Sequence, residues 1–277
     1  MRLKIDHETR YRYEHPLRHS VQTLRLWPRN NAAQRVVSWH IETDANAPLP
    51  AFEDSFGNVT HTLCIDQPHD SVRVHVTGEV MTNETHGVIG ETFEAAPPLV
   101  FCRDTDLTRP DDALVALAES CRGGAAADPP ALDILHRLLD AVADQVDYRV
   151  GETHAETTAA EALAHGYGVC QDHAHVFAAC ARHLGFPARY VSGYMWHNPD
   201  EPDGEAAHAW AEAYISDLGW VGFDPSNRRS PNEAYVRLAA GLDKRMAAPI
   251  LGLRHGGGAE TIAVTVRVAQ ARSAGQA

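Results

Sequence analysis

Cys170 stands where a chain would place a nucleophile. Gly166-Tyr167-Gly168 lies before it. Polar Gln171-Asp172 follows, then an apolar run through Val176, Phe177, Ala178, Ala179, Cys180 and Leu184 to Gly185-Phe186-Pro187. The pattern predicts a turn, then a helix whose first turn holds Cys170. Free backbone N–H groups and the positive end of the helix dipole gather there and favour a negatively charged sulfur. Most cysteines are simply buried as small hydrophobes, yet two glycines before it and a polar pair after it are unusual neighbours for a core residue. Further along, His208 to Ile215 and Trp220 to Asp224 read as strands joined by Ser216-Asp217-Leu218-Gly219, which implies a hairpin. A turn centred on 216–218 sets His208 opposite or diagonal to Asp224, on one face if the register agrees. A carboxylate beside a histidine fixes its tautomer and stabilises the imidazolium. Asp224-Pro225 also ends the strand, at a sheet end where clefts form. Either residue alone would pass as an ordinary strand side chain. With Cys170 they make a nucleophile, a base and an orienting acid.

The elements that must hold these groups are legible at low resolution. Residues 1–96 read as β throughout: Leu3 to Asp6, Thr9 to Tyr13, Val21 to Trp27, Val36 to Thr43, Val59 to Ile65 and Val72 to Met81, separated by turn signals. That spacing predicts an antiparallel sandwich or barrel-like domain. Asp54 and His61 are expected in turns and on the surface, and Cys64 in the core. Pro97-Pro98 marks a boundary. Beyond it, Pro110-Asp111-Asp112 starts a helix that runs to about Cys121, and Asp128-Pro129-Pro130 starts another with Leu132, Leu135, Leu138, Leu139, Val142 and Val146 on one stripe. Thr158 with Glu161 forms a capping box for a short helix ending at His165. Gly166 and Gly168 are free to take positive φ and to let backbone approach a ligand. Ala188 to Trp196 is a strand, His197 to Gly204 a loop, and Thr261 to Val268 a last strand.

Composition narrows the function. The chain has 277 residues, 44% hydrophobic and 22% charged, as in a soluble globular protein. A net charge of −13 without a basic cluster argues against nucleic acid. No apolar run is long enough to span a membrane, and MRLKIDHETRYRYEH has no signal-peptide core, so a cytoplasmic location is expected. Five scattered cysteines include no C-x-x-C pair, which disfavours a zinc cage or a disulfide framework. Among seventeen histidines, His173 and His175 point to different helix faces and no H-E-x-x-H occurs, so neither a metal nor another cofactor is expected.

HGYGVCQDHAHVFAACARHLGFPARYVSGYMW, followed by AAHAWAEAYISDLGWVGFDPSNR, resembles the core of bacterial transglutaminase-like proteins, members of the papain-like cysteine acyltransferase and peptidase class. The likeness runs from about 130 to 252. The β-rich first third resembles the N-terminal domain that precedes this core, with its D-x-F-G-N turn at Asp54-Ser55-Phe56-Gly57-Asn58. Where the family usually shows G-R-D-Y-x-D, this chain has Gly241-Leu242-Asp243-Lys244-Arg245-Met246. The resemblance implies an α+β fold: an N-terminal antiparallel β domain (1–96) and a papain-like core with helices on an antiparallel sheet (97–268); residues 269–277 read as a disordered tail. It makes Cys170 the nucleophile, His208 the base and then acid, and Asp224 its orienting partner. The Cys170 N–H would serve the oxyanion, with Gln171 the candidate second donor. Tyr167, Asp172 and Trp210 are expected around the site. The implied reaction is acyl transfer on a peptide or protein amide through a thioester. Hydrolysis is favoured over cross-linking, because no calcium-loop pattern like that of animal cross-linking enzymes is visible. A catalytically silent peptide-binding module would have no need of all three residues.

Overall fold

The computed structural model describes residues 1–92, 94–123, 129–198 and 206–271. Seven strands open the chain: β1 (Arg2–Leu17), β2 (His19–Trp27), β3 (Gln34–Thr43), β4 (Ala51–Glu53), β5 (Val59–Ile65), β6 (His69–Thr82) and β7 (Val88–Gly90). Alternation drives them. Along β1, Leu3, Ile5, His7 and Thr9 are buried while their even-numbered neighbours are not, so one face enters a core and the other faces out. The Asp54 turn behaves as its sequence suggests: Asp54 Oδ1 accepts from Phe56 N and Asn58 N, both at 3.0 Å, and Gly57 takes φ 78°. Asn58 then reaches out of that turn to pair with both backbone groups of Ala240 at 2.8 Å. His61 is buried and Cys64 exposed, the reverse of the expectation for each. The strand is real, but its two faces are the other way round.

The second part is α+β. In order it contains α1 (Asp112–Ser120), α2 (Ala131–Gln145), β8 (Asp147–Tyr148), α3 (Ala159–His165), β9 (Tyr167–Gly168), α4 (Cys170–His183), β10 (Ala188–Met195), β11 (Ala207–Ile215), β12 (Gly219–Phe223), β13 (Tyr235–Gly241) and α5 (Lys244–Ala247). An antiparallel sheet runs β13-β10-β11-β12-β7. Helix α4 is buried nearly all round, from Gln171 to Arg182, because α1, α2 and α3 cover one side and the sheet the other. Val176, Phe177, Ala181, Ala211, Ala213 and Phe223 share that core. The capping box forms as expected: Glu161 N donates to Thr158 Oγ1 at 3.2 Å and Thr158 N to Glu161 Oε2 at 2.9 Å.

The chain then returns to where it began. β14 (Ile250–His255) pairs with β2, and β15 (Glu260–Gln270) pairs with β1, both antiparallel. They complete two four-stranded sheets, β15-β1-β6-β3 and β14-β2-β5-β4. Strands grouped by sequence with the second part therefore belong to the sheets of the first, while β7 crosses the other way. Ala269 and Gln270, expected in the tail, extend β15; residues 272–277 lie outside the described set, as does most of the 197–204 loop. Tyr194, Val236 and Leu238 of the second part pack into the core of the first. Among the described residues, no helix is long and apolar enough to cross a membrane.

Candidate active site

Three segments converge on the start of α4. Cys170 is its first residue, half-buried, with Ala174, Tyr190, Ala209 and Ala247 around it. Asp172 fixes that start: its Oδ2 accepts from Val169 N at 2.8 Å and from Thr153 Oγ1 at 2.7 Å. A carboxylate in the first turn both satisfies a helix-end N–H and faces the positive dipole end. Gly168 is required by this cap and not by a ligand, since a Cβ there would come within 2.6 Å of the Asp172 Cβ. Gly166 alone of the two takes the left-handed conformation, φ 72°, as the C-cap of α3.

The hairpin register pairs Ala211 with Phe223 and Ile215 with Gly219. Continued one step further, it sets Trp210 level with Asp224, so His208 lies diagonal to the carboxylate. His208 Nε2 is 2.7 Å from Asp224 Oδ2, and Cys170 also acts on the imidazole and favours its charged form. With Nε2 engaged by Asp224, Nδ1 is the nitrogen left for the sulfur. Only 8% of His208 and none of Asp224 is exposed. Burial works against the imidazolium, but the hydrogen bonds and charges of Asp224 and Cys170 outweigh it and raise His208 to about 10. Burial also works against the Asp224 carboxylate, and His208, Ser226 and Tyr235 outweigh it, holding the acid down at about 2. Both shifts describe one buried ion pair.

Asp224 is held by residues that sequence reading missed. Tyr235 OH donates to Oδ2 at 2.7 Å, Asn227 Nδ2 to Oδ2 at 2.8 Å, and Ser226 Oγ to Oδ1 at 2.6 Å. Ser226 and Asn227 had a local signal, because an aspartate before Pro-Ser-Asn forms a side-chain-capped turn. Tyr235 had none. Trp210 stacks near His208 with ring centres 6.3 Å apart, and Tyr235 meets the imidazole edge-on at 5.8 Å. Gly193, paired with His208, has no room for a Cβ, which would come within 2.2 Å of Val236 O and 2.6 Å of the Trp210 ring.

The remaining candidates divide. Gln171 is pinned away from a donor role: its Nε2 donates to His154 O at 3.1 Å and its Oε1 accepts from the Lys244 ammonium. Tyr167 stacks on His165 at 5.4 Å beneath the Arg149 guanidinium, and no described contact ties it to Cys170, His208 or Asp224. His173 places its ring nitrogens 2.9 Å from Val169 O and 2.7 Å from Val146 O. His175 Nε2 accepts from Lys244 N at 3.1 Å, so both histidines serve the packing of α4. Among the described residues, His19, Cys64 and Asp66 bring three metal-ligating atoms within 4.8 Å of one another, on β2 and at the end of β5. A cavity of about 270 Å³ lined by Arg29, Phe56, Ile89, Glu91, Glu94 and Arg237 contains none of the three converging residues.

Comparison with known proteins bears on the family and the fold. The pattern of the Transglutaminase-like superfamily matches residues 116–225, and that of the Bacterial transglutaminase-like N-terminal region matches residues 3–81. An uncharacterized protein of Mycobacterium leprae is 29% identical over 296 aligned residues, which cover 96% of this chain and 98% of that protein. A protein-glutamine gamma-glutamyltransferase of Pseudomonas aeruginosa is 31% identical over 105 residues, covering 32% of this chain and 15% of that protein. Among solved structures, a "Putative Cysteine Protease" from Cytophaga hutchinsonii superposes with TM-score 0.76 at 20% identity, covering 99% of this chain and 91% of that one. That last likeness concerns the fold.

Proposed function

Because the chain belongs to the transglutaminase-like superfamily, we propose that it catalyses cysteine-dependent acyl transfer on peptide or isopeptide amides, with water the usual acceptor. The observation that carries this reading is the His208 ring, hydrogen-bonded to Asp224 and close enough to Cys170 for the sulfur to favour the imidazolium. In the proposed reaction the Cys170 sulfur attacks the amide carbonyl and the new C–S bond gives a tetrahedral oxyanion. The backbone N–H groups at the start of α4 are the nearest fixed donors for it. As the oxyanion collapses, the C–N bond breaks and His208 gives its proton to the departing amine. A water then loses a proton to His208 and attacks the thioester; the C–S bond breaks and the acid is released. Asp224 keeps the imidazole in one tautomer, and Tyr235, Ser226 and Asn227 keep Asp224 in place.

An amine in place of water would make the same site a transglutaminase, a reading favoured by the partial match to the Pseudomonas glutamyltransferase. Both versions share the thioester, so one experiment separates them. A peptide library is incubated with the protein, with and without added amine, and read by mass spectrometry, in parallel with a fluorescent thiol probe on the parent and on Cys170→Ala. Cleaved or deamidated peptides together with probe labelling lost in the variant support hydrolysis, and amine adducts support transfer. Labelling that persists in Cys170→Ala, or that favours Cys180 in the parent, removes Cys170 from the role.

A further inference from the structure

Helix α5 forms one wall of the crevice at Cys170. Ala247 packs beside the sulfur with Ala174, Tyr190 and Ala209, and its carbonyl accepts from Ser192 Oγ at 2.6 Å. Asp243 caps the helix by accepting from Met246 N at 3.1 Å, and Lys244 N donates to His175 Nε2. The Lys244 backbone is thus held at its N–H, at the start of the helix. Its half-buried side chain runs to Gln171, the residue next to Cys170. An ammonium has three donors, and the neutral Gln171 Oε1 takes one. Burial works against the charge, while Asp172, Cys170 and Glu156 support it. Glu156 is itself paired with Arg245; Asp172 Oδ2 is taken by Val169 and Thr153, and its buried Oδ1 has no hydrogen-bond partner. Among the described residues, no carboxylate forms an ion pair with Lys244.

We infer that Lys244 selects the acyl donor, so that a substrate with a carboxylate close to its reacting carbonyl is taken in preference to its neutral counterpart. The inference rests on the acyl-transfer reading and adds the substrate class to it. A carboxylate at the ammonium gains a charge-assisted hydrogen bond that a carboxamide of the same shape lacks. Apolar Ala247, Ala209 and the Tyr190 ring flank the crevice, so the attraction is screened less than on the open surface. The chain's net charge of −13 repels anions at long range. Selection therefore comes from this contact and not from steering.

Iodoacetate and iodoacetamide provide a test that needs no turnover. Each forms a C–S bond at a thiol and expels iodide, and they differ only in carboxylate against carboxamide. Their rates at Cys170 are followed by mass spectrometry of its peptide, with exposed Cys64 as internal reference. The ratio of iodoacetate to iodoacetamide rates at Cys170 should fall about fivefold or more in Lys244→Met, the factor for one unit charge pair near contact distance in water. Lys244→Arg should restore it, and the ratio at Cys64 should not move. An equal ratio in parent and Lys244→Met overturns the inference. If Lys244→Met does not fold, added salt takes its place: the parent's ratio should fall more at Cys170 than at Cys64, and an equal fall overturns the inference. A protein that transfers no acyl group can still pass, and an active enzyme can still fail, so the two claims stand or fall separately.

Discussion

Strand β11 carries two buried charged clusters that have come to opposite ends. At Glu212, one carboxylate oxygen accepts from Arg189 Nε at 2.5 Å and the other from Arg237 Nε at 3.0 Å. Arg189 also pairs with Glu94 and lies over the Trp220 ring at 3.8 Å. Two guanidinium groups meet two carboxylates, and one buried nitrogen of each guanidinium, Arg189 Nη2 and Arg237 Nη2, has no hydrogen-bond partner. Burial works against the Glu212 carboxylate, and Arg189 and Arg237 outweigh it and hold its pKa down. At His208 the same strand buries a second ion pair, but its chain of contacts ends on a half-exposed sulfur. The difference teaches that burial and a shifted pKa do not by themselves mark chemistry. What marks it is a nucleophilic group at the exposed end of the chain of contacts.

Cys170→Ala should break the contrast most completely. Acyl-adduct formation should fall by at least about a thousandfold, measured with ester and amide probes, while the denaturation midpoint stays near that of the parent. Asp224→Asn comes next. It keeps the shape but removes the charge that fixes the His208 tautomer, and a loss of about a hundred- to ten-thousandfold in turnover is expected. Retained activity would show that Asp224 is structural. Glu212→Gln tests the closed cluster. It leaves two buried guanidinium groups short of charge and should cost about 3–5 kcal/mol of stability in urea unfolding. Turnover per folded molecule should hold; a selective loss of turnover would mean that the two clusters are coupled.

The effect of pH is smaller and has a definite sign. His208 binds its proton up to about 10 when folded, against 6.5 in the unfolded chain. Its contribution is complete below pH 6.5 and is lost as pH rises towards about 10, because over that window the unfolded chain has released a proton the folded chain keeps. Asp224 acts at the other end: its contribution is present above 3.8 and lost as pH falls towards about 2. Unfolding free energies across the alkaline window should fall less steeply in Asp224→Asn than in the parent. Smallest of all, Tyr235→Phe removes one of four side-chain donors to Asp224, with an expected cost of about 1 kcal/mol. It should appear as a several-fold drop in turnover that leaves substrate KM unchanged.

Much of this site could be read from local sequence because its parts are set by short-range rules. The Thr158 capping box, the start of α4 at Cys170 and the hairpin at 216–218 each depend on residues a few positions apart. Strand alternation was equally local, and it marked Thr261 to Val268, within β15, without showing which edge would receive it, while β14 went unread. A strand's hydrophobic face says that it must be covered, not by what. The same limit placed Cys64 inside when it is outside, and gave Gln171 a donor role that His154 and Lys244 close off.

Sequence by itself determined the chemical types: a thiol at a helix start, an imidazole and a carboxylate across a hairpin, and the family to which their order points. Only the tertiary structure decided which neighbours those groups keep. Tyr235 reaches Asp224 from β13, Lys244 reaches Gln171, the neighbour of Cys170, from α5, and Asn58 of the first sheets grips Ala240. The physical reason is that a hydrogen bond or a charge contact acts over a few ångströms of space. Residues far apart along the chain come that close only when the sheets and α4 have packed.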